Sequence, residues 1–104
     1  MAEHKYKVSV DSAVNDRILK HVRFLARVSI PAAERLYDAL AKAIIELENN
    51  PKSCPKYTST SLTGVELRYK LCHKRYRIVF EIVNDNVYVY DIQDCRQDTD
   101  KNLL

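Results

Sequence analysis

The chain has 104 residues, of which 46% are hydrophobic and 30% charged, and its formal net charge is +3. This length suits one hydrophobic core, and the composition excludes a disordered chain. We therefore predict a single domain over residues 1–104. One glycine in the whole chain excludes the glycine-rich loops that bind nucleotide cofactors.

The first half of the chain predicts one strand followed by two helices. Apolar residues alternate with polar ones from Tyr6 to Val10, as in a half-buried strand. Asp11 or Ser12 can cap the first helix, and Pro31 suits the first turn of the second, which ends before Pro51. The apolar rows of the two helices comprise Val14, Ile18, Val22 and Leu25, then Leu36, Leu40, Ile44 and Leu47.

The second half predicts a loop and three strands. Residues 52–64 are rich in Ser, Thr and Pro, which indicates a surface loop. Apolar and polar residues alternate over residues 67–71 and 76–82, and the two strands are joined near His73 and Lys74. Residues 84–86 form a turn into the last strand, which covers residues 87–92.

The order strand, helix, helix, strand, strand, strand predicts an α+β fold with a four-stranded antiparallel sheet. The two-helix hairpin covers one face and leaves the other open. If the apolar alternates face the helices, Arg68, Lys70 and Arg77 share the open face. Five of the ten residues from Arg68 to Arg77 are Lys or Arg. Such a surface suits a phosphate backbone, although the solvated side of a sheet is the simpler interpretation.

The cysteines and the lack of a long apolar segment exclude further kinds of site and location. Cys54, Cys72 and Cys95 lie far apart without a nearby paired cysteine, so we expect no zinc site, no disulfide framework and no cofactor. No segment approaches the roughly 18 apolar residues of a membrane span, and no signal peptide is visible. These features predict a cytoplasmic protein with no membrane partner.

Several segments resemble the RelE/ParE family of bacterial type II toxins. The similar segments are residues 20–25, residues 39–51 and above all the strands over residues 67–82 and 87–97. The resemblance implies an antitoxin as partner. Its RelE branch implies a metal-independent endoribonuclease that cuts mRNA on the ribosome by attack of the 2′-hydroxyl. Its ParE branch implies inhibition of DNA gyrase without nuclease activity, and an inactive relative that binds only the antitoxin is a third hypothesis.

For an RNA-cleaving toxin, the resemblance implies roles for the basic strand residues. Lys70 is the candidate base, because crowding by Arg68 and Arg77 would favour a neutral amine. Arg77 and Arg96 are the candidate phosphate clamps, since a guanidinium stays charged and can bind two oxygens. Arg68 completes the candidate catalytic set. The candidate substrate-binding residues are Arg68, Lys74, Arg75 and Tyr57.

The chain departs from the RelE pattern in two places. RelE-type members commonly carry lysine where this chain has Arg68. They also carry a late Tyr or His as acid or stacking group, and neither follows Arg96 here. His73 is a poor substitute for that acid and is more simply a solvated turn residue. Tyr57 either contacts a base or covers the edge of the core.

Overall fold

A computed structural model describes residues 5–57 and 66–95. The described elements, in chain order, are β1 (Lys7–Val10), α1 (Ser12–Ala26), α2 (Ile30–Glu46), a 3₁₀ turn (Pro51–Ser53), β2 (Lys56–Tyr57), β3 (Leu67–Cys72), β4 (Tyr76–Val83) and β5 (Asn86–Asp94). The strands form one mixed sheet of five strands in the order β1-β5-β4-β3-β2. The predicted α+β class is therefore confirmed.

The predicted sheet of four antiparallel strands is wrong in two respects. β1 lies along the free edge of β5 and runs parallel to it, with Lys7 opposite Asn86 and Val10 opposite Val89. β2 adds a fifth strand at the other edge, antiparallel to β3, inside the segment predicted as a loop. Two residues are too few to show an alternating pattern in a sequence, which is why the loop interpretation missed this strand.

The core lies between the helix pair and one face of the sheet. Its buried helix residues include Val14, Ile18, Leu36, Leu40 and Leu47. Their buried strand neighbours include Tyr76, Ile78, Phe80, Val87, Val89 and Ile92. The apolar rows predicted for both helices are confirmed, since Val22, Leu25 and Ile44 also pack against this cluster. The opposite sheet face is called the open face below.

Local signals in the sequence set the ends of the helices. The Ser29 side chain accepts a hydrogen bond of 3.2 Å from the Ala32 amide, which caps α2 with Pro31 in its first turn. After α2, Asn50 adopts a left-handed conformation with φ of 52°, and Pro51 follows. Asp11 occupies the N-cap position of α1, but its side chain makes no capping hydrogen bond.

Two tight turns fix the register of the last three strands. His73 and Lys74 both have positive φ, 56° and 57°, and the Arg75 amide donates to the Cys72 carbonyl at 3.2 Å. Two successive left-handed residues characterise the hairpin turn whose twist matches paired strands. Asn84, with φ of 55°, starts the turn from β4 to β5. Both turns were predicted at these residues.

Candidate functional site

The register of β3 and β4 places the predicted cations on two different faces. Lys70 lies opposite Ile78, which is fully buried beneath the helices. Because directly opposed residues point to the same face of a sheet, Lys70 belongs to the helix-covered face. Arg77 lies opposite Leu71 and Gln93, on the open face. The prediction that Arg68, Lys70 and Arg77 share the open face is therefore wrong.

The error lies in β3 alone. The prediction required the apolar residues of β3 to face the helices, but Cys72, opposite Tyr76, is the residue that packs into the core. Leu67, only 3% exposed, points to the open face. Tyr69 points there too and contacts the ring of Tyr57, with 6.3 Å between the ring centroids. Apolar residues thus occupy both faces, and alternation alone does not say which set faces the helices.

Arg68 and Lys70 are each held by protein groups. The Lys70 Nζ lies 3.5 Å from a carboxylate oxygen of Glu46, at the end of α2. The Arg68 guanidinium donates to the Cys54 carbonyl at 2.7 Å and to Glu66 at 3.2 Å. The crowding by Arg77 that was expected to favour a neutral Lys70 is absent, because the sheet separates the two side chains.

On the open face, a row of contacts connects Arg77 to α1. The Arg77 guanidinium lies over the Tyr57 ring, 5.6 Å from its centroid. The Tyr57 hydroxyl donates to Gln93 at 3.2 Å, and the Gln93 amide donates to Asp91 at 3.3 Å. Arg17 of α1 completes the row with a 2.6 Å ion pair to Asp91. We call these five residues the polar row.

α1 reaches Asp91 because β1 stops short of it. β1 ends at Val10, opposite Val89, so the edge of β5 beyond that point is covered by side chains of α1 instead of a strand. Arg17 donates to the Tyr90 carbonyl at 3.3 Å, and the His21 Nε2 lies 3.0 Å from the Ile92 carbonyl oxygen. Four helical residues rise about 6 Å and two strand residues about 6.6 Å, so the spacings match.

The remaining predicted residues do not join one site. Arg75 pairs with Asp94 at 3.5 Å, and its guanidinium lies 5.0 Å from the centroid of the Tyr76 ring. These contacts give Arg75 a structural role at the end of the sheet. Lys74 is exposed in the turn. Arg96, the second predicted clamp, lies outside the described residues. Tyr57 and Arg77 are the two predicted residues that the structure brings into contact on the open face.

Side chains outside the polar row, Tyr90, Cys54 and Cys72 among them, have a pKa above the usual value. The Tyr90 hydroxyl donates to the Glu81 carboxylate, and this hydrogen bond raises the pKa of Tyr90 to about 12. Burial raises the pKa of the Cys54 and Cys72 thiols, so both stay protonated and unreactive near neutral pH. Cys72 is buried, whereas Cys95 is only half-buried.

Sequence reasoning missed the members of the polar row other than Tyr57 and Arg77. Asp91 and Gln93 alternate with Ile92 at the end of a valine-rich strand, and this spacing is the signal that would have placed both side chains on the open face. Arg17 carried no such signal, because it lies 74 residues away from Asp91. Only the folded sheet edge brings them together.

The described part of the chain shows neither a metal centre nor a membrane segment. Its His, Cys, Asp and Glu side chains form no group of three that could hold a metal ion. Within the same residues, no helix has the length and apolar character needed to cross a bilayer.

Comparison with known proteins identifies the fold's family. Residues 8–99 match the profile described as ParE toxin of the type II toxin–antitoxin system parDE. A search of curated protein sequences finds no match. The matched range includes every described strand and helix except the first residue of β1, and it confirms the resemblance noted from the strands. Membership implies a cognate antitoxin as a partner. The chain belongs to the ParE family of toxins of type II toxin–antitoxin systems.

Proposed function

We propose that this toxin inhibits DNA gyrase by binding it and does not cleave RNA. The observation that carries the proposal is the separation of Lys70 from Arg77 by the sheet. Cleavage by a 2′-hydroxyl requires a base and a cation at the same phosphodiester, each within hydrogen-bond reach. A base on the helix-covered face and a clamp on the open face do not meet this requirement.

The contacts of the two β3 cations support the same proposal. Lys70 forms an ion pair with Glu46. Arg68 donates a hydrogen bond to the Cys54 carbonyl and pairs with Glu66. A substrate phosphate would have to displace these partners before binding. The family match agrees, since the ParE branch acts on gyrase and depends less on these positions.

Purified toxin provides the test. We expect it to stop gyrase from supercoiling relaxed plasmid while mRNA in the ribosomal A site stays intact. Lys70→Ala should inhibit gyrase as the wild type does, because a half-exposed ion pair contributes only about 0–1 kcal/mol to stability.

Two outcomes would contradict the proposal. One is mRNA cut in the A site by the wild type and not by Arg77→Ala or Lys70→Ala, which would establish the endoribonuclease. The other is a protein that binds its antitoxin but affects neither gyrase nor mRNA, which would establish the inactive relative.

A further inference from the structure

The tip of the helix hairpin carries exposed apolar side chains. Phe24, Val28 and Ile30 are 62%, 81% and 65% exposed. They lie within the last turn of α1, the connection and the first residue of α2, and we call them the apolar tip. Single exposed apolar residues are common, but a group of them on a small domain marks a contact surface.

Folding does not account for the apolar tip. The core-facing residues of the two helices are other side chains, such as Val14 and Leu40. The connection itself is set by the Ser29 cap and by the Ser29 amide, which donates to the Leu25 carbonyl at 2.9 Å. Polar residues at positions 24, 28 and 30 would leave these interactions unchanged.

Exposed positive charges lie on the α1 side of the apolar tip, and the first charged residues on its α2 side are Glu34 and Arg35. Lys20, Arg23 and Arg27 are exposed on α1, and the segment from Lys20 to Ala33 contains no acidic residue. No ion pair joins these three cations to any residue in the described ranges. Arg17, one turn earlier, differs because Asp91 neutralises it. The tip therefore combines apolar side chains with unpaired positive charge.

We propose that the apolar tip is the surface with which the toxin binds its protein target. The complementary site on the target is an apolar pocket with a rim of Asp and Glu carboxylates, because Phe24 would fill the pocket while Arg23 and Arg27 pair with the rim. The inference rests on the proposed function in taking that target to be gyrase.

Charge and shape favour an acidic protein over other occupants. A second copy of the chain would place the arginines of one tip against those of the other, and like charges repel. A bilayer surface binds helices along a continuous apolar face. In α1 that face is packed on the sheet through Val14 and Ile18, and Phe24 is the one large apolar side chain of this helix that is mostly exposed.

The test compares serine substitutions at matched exposure. Phe24→Ser and Ile30→Ser should each raise the toxin concentration needed for half-inhibition of gyrase about ten-fold or more, as expected for a central anchor. Ile45→Ser is the control, because Ile45 is 60% exposed on α2 away from the tip. It should change that concentration by less than about two-fold. Antitoxin binding retained by all variants would show that they are folded.

The charged rim is tested by charge reversal. Arg23→Glu combined with Arg27→Glu should slow association with gyrase and weaken its dependence on salt. Lys42→Glu, an exposed site in α2, should change neither.

The outcomes separate this inference from the proposed function. If the wild type inhibits gyrase and Phe24→Ser inhibits it equally well, the inference is wrong and the proposed function stands. If the wild type leaves gyrase active, the proposed function and the inference about the apolar tip are both wrong. Binding of the wild type to phosphatidylglycerol vesicles that Phe24→Ser abolishes, with gyrase inhibition unchanged, would assign the tip to membranes and overturn the inference.

Discussion

Asp91 is the residue at which the contacts of the polar row converge. Its carboxylate accepts hydrogen bonds from Arg17, from Gln93 and from the Ile92 amide, the last at 2.9 Å. The residue is only 9% exposed, although it is charged. A buried carboxylate is stable only when its oxygens are paired, so the contacts of Asp91 depend on one another.

Removing this carboxylate should destabilise the fold. We expect Asp91→Ala to lower the free energy of unfolding by about 2–3 kcal/mol, because it leaves the buried Gln93 amide and the Ile92 amide without their acceptor. Urea denaturation measures the change. The matched control is Asp38→Ala at an exposed site of α2, expected within about 0.5 kcal/mol of the wild type. Equal stability of Asp91→Ala and the wild type would show that the polar row adds nothing.

Tyr90 should titrate late in the folded protein. Its pKa is raised to about 12 by the Glu81 carboxylate, above the unfolded value of about 10. Between about pH 10 and pH 12, Tyr90 therefore keeps its proton in the folded state and loses it in the unfolded state. The resulting stabilisation is present below about pH 10 and is lost as the pH rises through about 12.

Absorbance at 295 nm follows this tyrosinate. The difference between the wild type and Tyr90→Phe should show one tyrosinate forming near pH 12 while circular dichroism still reports a folded chain. Glu81→Gln should move that step to lower pH, because the carboxylate that holds the proton is gone. A step near pH 10 in this difference would exclude the hydrogen bond.

The positions of the site residues were only partly predictable, because β3 carries apolar residues on both of its faces. Arg77 was placed correctly on the open face, because its neighbours Ile78 and Phe80 are the strongest apolar residues of β4. In β3, the leucines and Tyr69 looked like the core-facing set, but Cys72 takes that role. A strand with apolar residues on both faces does not reveal its orientation by its own pattern.

Among the elements of the fold, the β3–β4 turn determines on which face of the sheet each cation of β3 lies. The turn sets Cys72 opposite Tyr76 and thereby Lys70 opposite Ile78. A register shifted by one residue would exchange the two faces of β3. His73 and Lys74 hold the present register in left-handed conformations that cost side chains with a Cβ atom about 1 kcal/mol.

Relieving that conformational cost should stabilise the hairpin. Lys74→Gly is expected to raise the free energy of unfolding by about 0.5–1 kcal/mol, because glycine adopts positive φ without a steric penalty. Thermal or urea unfolding measures it. Lys42→Gly, the same change inside α2, should instead lower stability by about 1 kcal/mol. Destabilisation by Lys74→Gly would mean that the turn is not left-handed at this position.

The long elements were predictable and the sheet edges were not. α1 and α2 have apolar rows of several turns and clear end signals, and the β4–β5 hairpin has a turn sequence between two apolar runs. The edge strands β1 and β2 are short, and pattern alone does not give the direction in which an edge strand pairs. The cover of β5 by Arg17 and His21 is likewise a tertiary feature that protects an otherwise free edge.

At the scale of the whole molecule, charge is distributed over separate surfaces. Lys70 of β3 pairs with Glu46 of α2, and Arg77 stacks on Tyr57 across the sheet. The exposed cations of α1 next to the apolar tip make no ion pair within the described residues. A nuclease concentrates its charges around one phosphate. The separation of these charges in the described residues is the reason that we propose binding to a protein rather than cleavage of RNA.

The proposed function is that the toxin acts on gyrase rather than on RNA. Inducing the toxin in cells and measuring both plasmid supercoiling and the 5′ ends of transcripts from the same culture tests it most directly. We expect plasmids to lose negative supercoils while transcripts remain whole, in the wild type and in Lys70→Ala alike. Transcripts cut at codon spacing, with plasmid supercoiling unchanged and with the cuts absent in Lys70→Ala, would contradict it.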